Sequence, residues 1–330
     1  MENRSYIISP CLLAMCLALC CTLQTSCQNR PQTKASEATP DAPVAAAVTG
    51  FPYPEIPTTL TDVPARLEYL LTHYWERLDL NDTLLLNNPE VTEQGFVNFI
   101  DLMRDEHLTA EMRREAWESL AALLAEATEG RKRLDDLCDD YLYNPNSPLY
   151  NESLYALYLE AMSGQAGVDE AVKERMRFRL ELVRRNRPGE KAEDFAYYTP
   201  DGTRQTLHHT PVQGKHLLLL FYDPECSHCQ EVMEVLQDSP QLNQLLRCGE
   251  ATLLAIYTEG NEQAWRESLP LLPRRWLKGN DREAVKQQAL YDLKAMPSLY
   301  LLNADKQVVL KDTSPEECLN RMEIKGDKGR

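Results

Sequence analysis

Leu217-Leu-Leu-Leu-Phe-Tyr-Asp-Pro-Glu-Cys226-Ser-His-Cys229 decides the fold. Six consecutive apolar or aromatic residues read as a strand covered on both faces. Pro224 ends the strand's hydrogen-bonding pattern. Val232, Met233 and Leu236 then give the next segment a helical stripe. Cys226 therefore falls at a helix N-terminus, where unpaired N–H groups and the macrodipole favour negative charge. A thiolate is such a charge and is the species that attacks disulfides. Two cysteines three apart at a helix start can also close into a disulfide with each other, so the motif points to thiol–disulfide chemistry.

Other uses of the pair fit less well. Zinc needs third and fourth ligands at suitable spacing. No second Cys-x-x-Cys exists, no histidine lies beyond His228, and only His208 and His209 offer an upstream pair, so no metal is expected. A structural disulfide across so short a loop fixes little chain entropy. A peroxiredoxin site calls for Thr or Ser three residues before its reactive cysteine, where Asp223 and Cys226 stand instead.

Residues 1–27 read as an export signal: Arg4 gives a positive start, and an apolar run extends from Cys11 to Leu23. That run is short for a membrane span, which needs about 20 apolar residues, and fits a signal h-region. It ends in Leu23-Gln-Thr-Ser-Cys27, which resembles a bacterial lipoprotein signal with Cys27 as the lipidated residue, although the leucine stands four residues before the cysteine rather than three. Residues 28–50 lack an apolar period and are rich in Ala, Thr and Pro, so they read as a flexible tether spanning on the order of 25 Å. The expected location is the bacterial cell envelope, on the periplasmic side and lipid-anchored to a membrane, where disulfides can persist. A formal charge of −16 argues against nucleic-acid binding. The basic residues Arg175, Arg177, Arg179, Arg184, Arg185 and Arg187 are accompanied by Glu170, Glu174 and Glu181, as on a solvated or domain-contacting helix face.

The pattern from Asp62 to Arg187 is almost entirely 3.6-periodic, and six apolar stripes predict an all-α domain over residues 51–188. Cys138 falls on one stripe and is expected to be a buried, inert thiol. The periods change over residues 189–330. Leu217–Tyr222 and Ala251–Tyr257 read as central strands, and Ser298–Leu302 with Gln307–Lys311 as a hairpin. Helices are expected at Cys226–Asp238, Asn261–Leu269 and Arg282–Tyr291, with a last one opened by a capping box at Ser314 and Glu317. Cys248 and Cys318 are read as separate thiols.

Strand–helix–strand followed by hairpin–helix is the order of a thioredoxin fold, an α/β domain with a central mixed sheet flanked by helices. The chain resembles the thioredoxin-like thiol–disulfide oxidoreductases, in particular the membrane-tethered group that includes TlpA and ResA. Phe221–Cys229 and Ala295-Met-Pro-Ser-Leu-Tyr-Leu-Leu302 carry the resemblance. Phe51-Pro-Tyr-Pro-Glu-Ile-Pro, with His73-Tyr-Trp75 and Glu93–Ile100, resembles an uncharacterised helical domain that precedes such domains in bacterial envelope proteins. The family resemblance implies that Pro297 is a cis-proline facing the cysteines and that the backbone of Met296 pairs with substrate, beside Glu225. It implies a Cys226 nucleophile, a resolving Cys229, and no cofactor beyond the redox-active Cys226–Cys229 pair. The implied partners are an exported disulfide-bearing protein as substrate and a membrane electron donor. Two departures stand out. Leu220 replaces the buried acid that thioredoxin carries six residues before its first cysteine. His228 resembles the histidine between the cysteines of the oxidase DsbA, where an imidazolium stabilises the thiolate and raises the potential. Glu225 acts in the opposite direction. The direction expected is reduction, with oxidant or isomerase, or a non-catalytic binding module, as alternatives.

Overall fold

The computed structural model describes residues 50–322; Cys27, the signal and nearly all of the 28–50 segment lie outside the described residues. The helical part runs through α1 (Val63–Thr72), α2 (Thr83–Leu86), α3 (Gln94–Met103), α4 (Ala110–Glu126), α5 (Thr128–Cys138), α6 (Glu152–Ser163) and α7 (Glu170–Arg184). Its helices begin where the sequence offers a capping oxygen. Asp62 accepts from the Ala65 N–H, Thr109 from Met112 and Asn151 from Leu154, each relieving one orphan donor of a first turn. Phe96, Phe99, Trp117, Tyr155 and Tyr158 lie within one continuous core. Cys138 is fully buried there, and burial holds its thiol well above the usual range.

The second part contains β1 (Ala196–Tyr198), β2 (Arg204–Thr206), β3 (His216–Tyr222), α8 (Ser227–Asp238), α9 (Pro240–Cys248), β4 (Ala251–Tyr257), α10 (Glu262–Ser268), β5 (Leu277–Asn280), α11 (Ala284–Gln287), β6 (Ser298–Asn303), β7 (Val308–Leu310) and α12 (Pro315–Arg321). The strands form one mixed sheet in the order β2-β1-β5-β4-β3-β6-β7. β3 pairs parallel with β4 and antiparallel with β6, so the strand leading to the cysteines is covered on both edges as well as both faces. Strand alternation divides the core. Leu218, Leu220 and Tyr222 face one layer with Cys229 and α9; Leu217, Leu219 and Phe221 face the other with Phe195, Val285 and Tyr291. Burying each of the four leucines contributes about 1.5–3 kcal/mol relative to exposure.

Three local expectations change. The helix expected over Arg282–Tyr291 shrinks to Ala284–Gln287, because Arg282, Glu283 and Ala289 all take positive φ. The capping box before α12 is half formed. Ser314 accepts from the Glu317 N–H as expected, but the Glu317 carboxylate takes a hydrogen bond from Thr313 Oγ1 instead of reaching back to Ser314. Helix α9, absent from the sequence reading, is capped by Ser239, starts on Pro240 and ends at Gly249 with φ 71°. Cys248 and Cys318 are both free, the first exposed and the second buried.

The helical part meets the sheet part just ahead of Pro297. Tyr143 Oη donates to Asp292 at 2.7 Å, and the Asn186 amide donates to the Leu290 carbonyl at 2.9 Å. Lys311 Nζ reaches the Val183 and Arg185 carbonyls at the end of α7. Among the described residues no helix is long and apolar enough to cross a membrane.

Candidate active site

The turn after β3 is held by Asp223 and by Gln230, whose side-chain amide donates to the Pro224 carbonyl at 2.7 Å. Asp223 accepts the Glu225 N–H on its carboxylate (3.0 Å) and the Cys226 N–H on its carbonyl (3.2 Å). The chain thereby enters α8 with Cys226 as N-cap, its sulfur accepting from the Cys229 N–H at 3.4 Å. This is the position where a developing thiolate meets unpaired N–H groups and the positive end of the helix. The two sulfurs differ sharply. Cys226 is half-buried and open to an incoming disulfide, whereas Cys229 has no exposed surface. Burial pushes the Cys229 thiol up to about 12, only partly offset by the Asp223 N–H, which donates to its sulfur at 3.5 Å.

Opposite Cys226 stands the loop before β6. The Met296–Pro297 peptide bond is cis, and Cys226 Sγ donates to the Met296 carbonyl at 3.7 Å. Met296 and Pro297 are both half-buried, while Glu225 and His228 are exposed. The His228 ring turns along α8 to Glu231, with Nδ1 3.3 Å from Oε2, and not toward either sulfur. His208 and His209 belong to the β1–β2 region: His208 Nε2 lies 2.7 Å from the Ala192 carbonyl and His209 Nδ1 2.8 Å from Thr206 Oγ1. Among the described residues, no group of three or more His, Cys, Asp or Glu is arranged to hold a metal ion.

Among solved structures, the chain is similar to a thioredoxin-like protein from Bacteroides caccae. Identity is 35%, the match covers 82% of this chain and 97% of that one, and the TM-score is 0.70. The chain belongs to the thioredoxin-like proteins. It is also similar to the C-terminal domain of an uncharacterised protein from Bacteroides fragilis (33% identity, 42% of this chain and 97% of that one, TM-score 0.40). A domain of a possible thiol-disulfide isomerase from Cytophaga hutchinsonii aligns at 25% identity over 42% of this chain and 92% of that one, with TM-score 0.36. Residues 24–186 match a family described as a domain of unknown function, DUF5106. No curated protein matches the chain.

This thioredoxin-like protein carries two features at its site that sequence reasoning missed. The turn at Pro145 and Asn146 in the helical part reaches the rim, where it lines a cavity of about 280 Å³ with His228, Val232 and Pro297. Behind the cis-proline loop lies a buried charge cluster. Lys294 Nζ sits 2.6 Å from both Glu152 Oε1 and Asp312 Oδ2 and 3.6 Å from Asp292 Oδ2, and Glu152 also pairs with Lys311 at 3.0 Å. Burial opposes the Lys294 charge, but Asp312 and Glu152 outweigh it and hold the ammonium above the usual lysine range. Asp312 in turn accepts from Ser298 Oγ at 2.7 Å, so the cluster grips the loop on both sides of Met296 and Pro297. The sequence carries one signal for it: Asp292 and Lys294 both interrupt the apolar stretch Ala289–Pro297, and a lysine buried there needs acids beside it.

Proposed function

We propose that this chain is a thiol–disulfide oxidoreductase of the bacterial cell envelope that reduces disulfides in exported proteins. Cys226, as thiolate, attacks a substrate disulfide; the new Cys226–substrate bond forms as the old S–S bond breaks, and one substrate thiolate leaves. Cys229 gives up its proton to the departed substrate thiolate, attacks Cys226 Sγ and expels the second substrate thiolate, leaving the Cys226–Cys229 pair oxidised. Two electrons pass from the dithiol to the substrate, and no cofactor beyond that pair takes part. The observation that carries the reading is the asymmetric pair: a half-open sulfur capping α8 over a sealed one, with the Met296 carbonyl 3.7 Å from the former. In this reading the Met296 and Glu225 backbones hold the substrate strand against Pro297, while His228, whose ring turns to Glu231, borders the cavity beside that strand. A membrane electron donor returns the pair to the dithiol, and lipidated Cys27 with the 28–50 tether keeps the protein at the membrane.

The test is the reduction potential of the pair against defined thiol buffers. A value near thioredoxin's, about −270 mV, supports a reductase; one near −120 mV makes the protein an oxidant. Absence of reversible exchange, or activity that survives Cys226→Ser, leaves a binding module instead.

A further inference from the structure

The cavity at the cis-proline loop is built jointly by the two parts of the chain. Val232 of α8, Pro297 and Leu299 of the sheet part, and Pro145 with Asn146 of the helical part all line it. The polar groups that also border it are engaged elsewhere. Asp312 is taken by Lys294 and Ser298, Thr313 Oγ1 donates to Glu317, and Ser314 Oγ caps α12. An incoming chain therefore meets mainly apolar surface, bordered by the exposed Asn146 amide and by the exposed His228 ring, whose Nδ1 is turned to Glu231. The charges outside are acidic: Glu225 and Glu231 are exposed, in a chain of net charge −16. Pro297 lines the cavity and directly follows Met296, whose carbonyl faces the Cys226 sulfur. A side chain one residue from the reacting substrate cysteine, about 3.8 Å along its backbone, is within reach of the cavity.

We propose that this cavity is a specificity pocket for an uncharged apolar side chain of leucine or methionine size, next to the cysteine of a protein disulfide. The Pro145–Asn146 turn of the helical part is its specificity-determining wall. The inference rests on the disulfide-exchange reading above and names the substrate class for that site. Acidic neighbours are disfavoured twice, by the apolar lining and by the carboxylates around it.

The test uses the full reduced chain with oxidised glutathione and with disulfide peptides that differ at one residue flanking the cysteine: Leu, Ala, Lys or Asp. The Leu peptide is expected to exceed the Asp peptide by roughly tenfold or more in kcat/KM, mainly through KM. Asn146→Trp, which fills the cavity from the helical side, should bring the ratio to within about twofold. The inference is overturned if the wild-type chain reduces oxidised glutathione yet handles all four peptides within about twofold, or if Asn146→Trp keeps the full preference. The wild-type ranking stands as a test even where that variant does not fold. Failure to reduce even oxidised glutathione would remove the exchange reading itself, an outcome distinct from exchange without preference.

Discussion

Glu152, the first residue of α6, is the helical part's acid in the cluster behind the cis-proline loop, and replacing it with alanine tests how the two parts are joined. Its carboxylate is shared by Lys294 and Lys311, whose side chains are each 3% exposed. At 2.6 Å and an effective dielectric of about 20, the Lys294 pair carries a gross attraction of about 6 kcal/mol, much of it offset by desolvation. Removing Glu152 leaves Lys311 without an acid, while Lys294 keeps Asp312 at 2.6 Å and Asp292 at 3.6 Å, so the loss falls short of the roughly 3–5 kcal/mol of a wholly unpartnered buried charge and is about 2–3 kcal/mol. We expect Glu152→Ala to lower unfolding stability by that amount and the midpoint temperature by on the order of 10 °C. A cycle with Lys294→Met should show a coupling of about 1–3 kcal/mol. Urea titration followed by tryptophan fluorescence is a suitable assay, since Trp75 and Trp117 report on the helical core and Trp265 and Trp276 on the sheet layer. Both sets should shift together. A loss below about 1 kcal/mol would refute the argument, because it would mean that Lys311 recovers water freely and that Asp312 alone satisfies Lys294. Lys294 lies two residues before Met296, so the variant should also slow disulfide exchange at temperatures where it remains folded.

Cys229→Ser is expected to trap a Cys226–substrate mixed disulfide, and Cys226→Ser to trap none; mass spectrometry of the non-reduced adducts distinguishes them. Alkylation of the reduced chain near neutral pH should label Cys226 and the exposed Cys248 while sparing Cys229 and Cys318, whose thiols burial pushes up to about 12; early labelling of Cys229 would reverse the assigned roles. The Asp223 carboxylate adds to the forces raising the Cys229 thiol, so Asp223→Asn should move the pH profile of mixed-disulfide resolution to lower pH, read by stopped-flow. Burial raises Asp281 from 3.8 to about 6, above its unfolded value. Its contribution to stability is therefore greatest below about pH 4 and is lost as pH rises through 6, a change of about 3 kcal/mol that Asp281→Asn should flatten in denaturant titrations across that window.

What could be read from the sequence was what short-range physics encodes. The apolar run before Asp223 could become little else than a buried strand, and a Cys-x-x-Cys behind a strand-ending proline had to open a helix. The parity of β3 follows, since Leu220 and Tyr222 must share a face with Cys229. Pro297, by contrast, was found through resemblance, because nothing local in Ala295-Met-Pro requires a cis bond. β5 escaped because Lys278 and Gly279 interrupt so short a run, and the strand exists through its pairing with β4. The Arg282–Tyr291 pattern was helical in period, yet the chain leaves the helix at Ala289. Leu290 and Asp292 serve as docking points for Asn186 and Tyr143, and that tertiary demand overrides local propensity. The largest omission has the same cause. Tyr143, Asn146 and Glu152 look like an ordinary turn and helix start, and Lys294, Lys311 and Asp312 like surface charges. Tyr143 and Glu152 acquire their roles from groups more than a hundred residues away, and Asp312 acquires its role from Lys294 and Ser298, 18 and 14 residues before it. The reactivity of the sulfurs is thus written locally, around α8. The cavity beside them depends on a join between the two parts of the chain, and changes in the helical part should therefore alter substrate preference while the cysteine chemistry stays as it is.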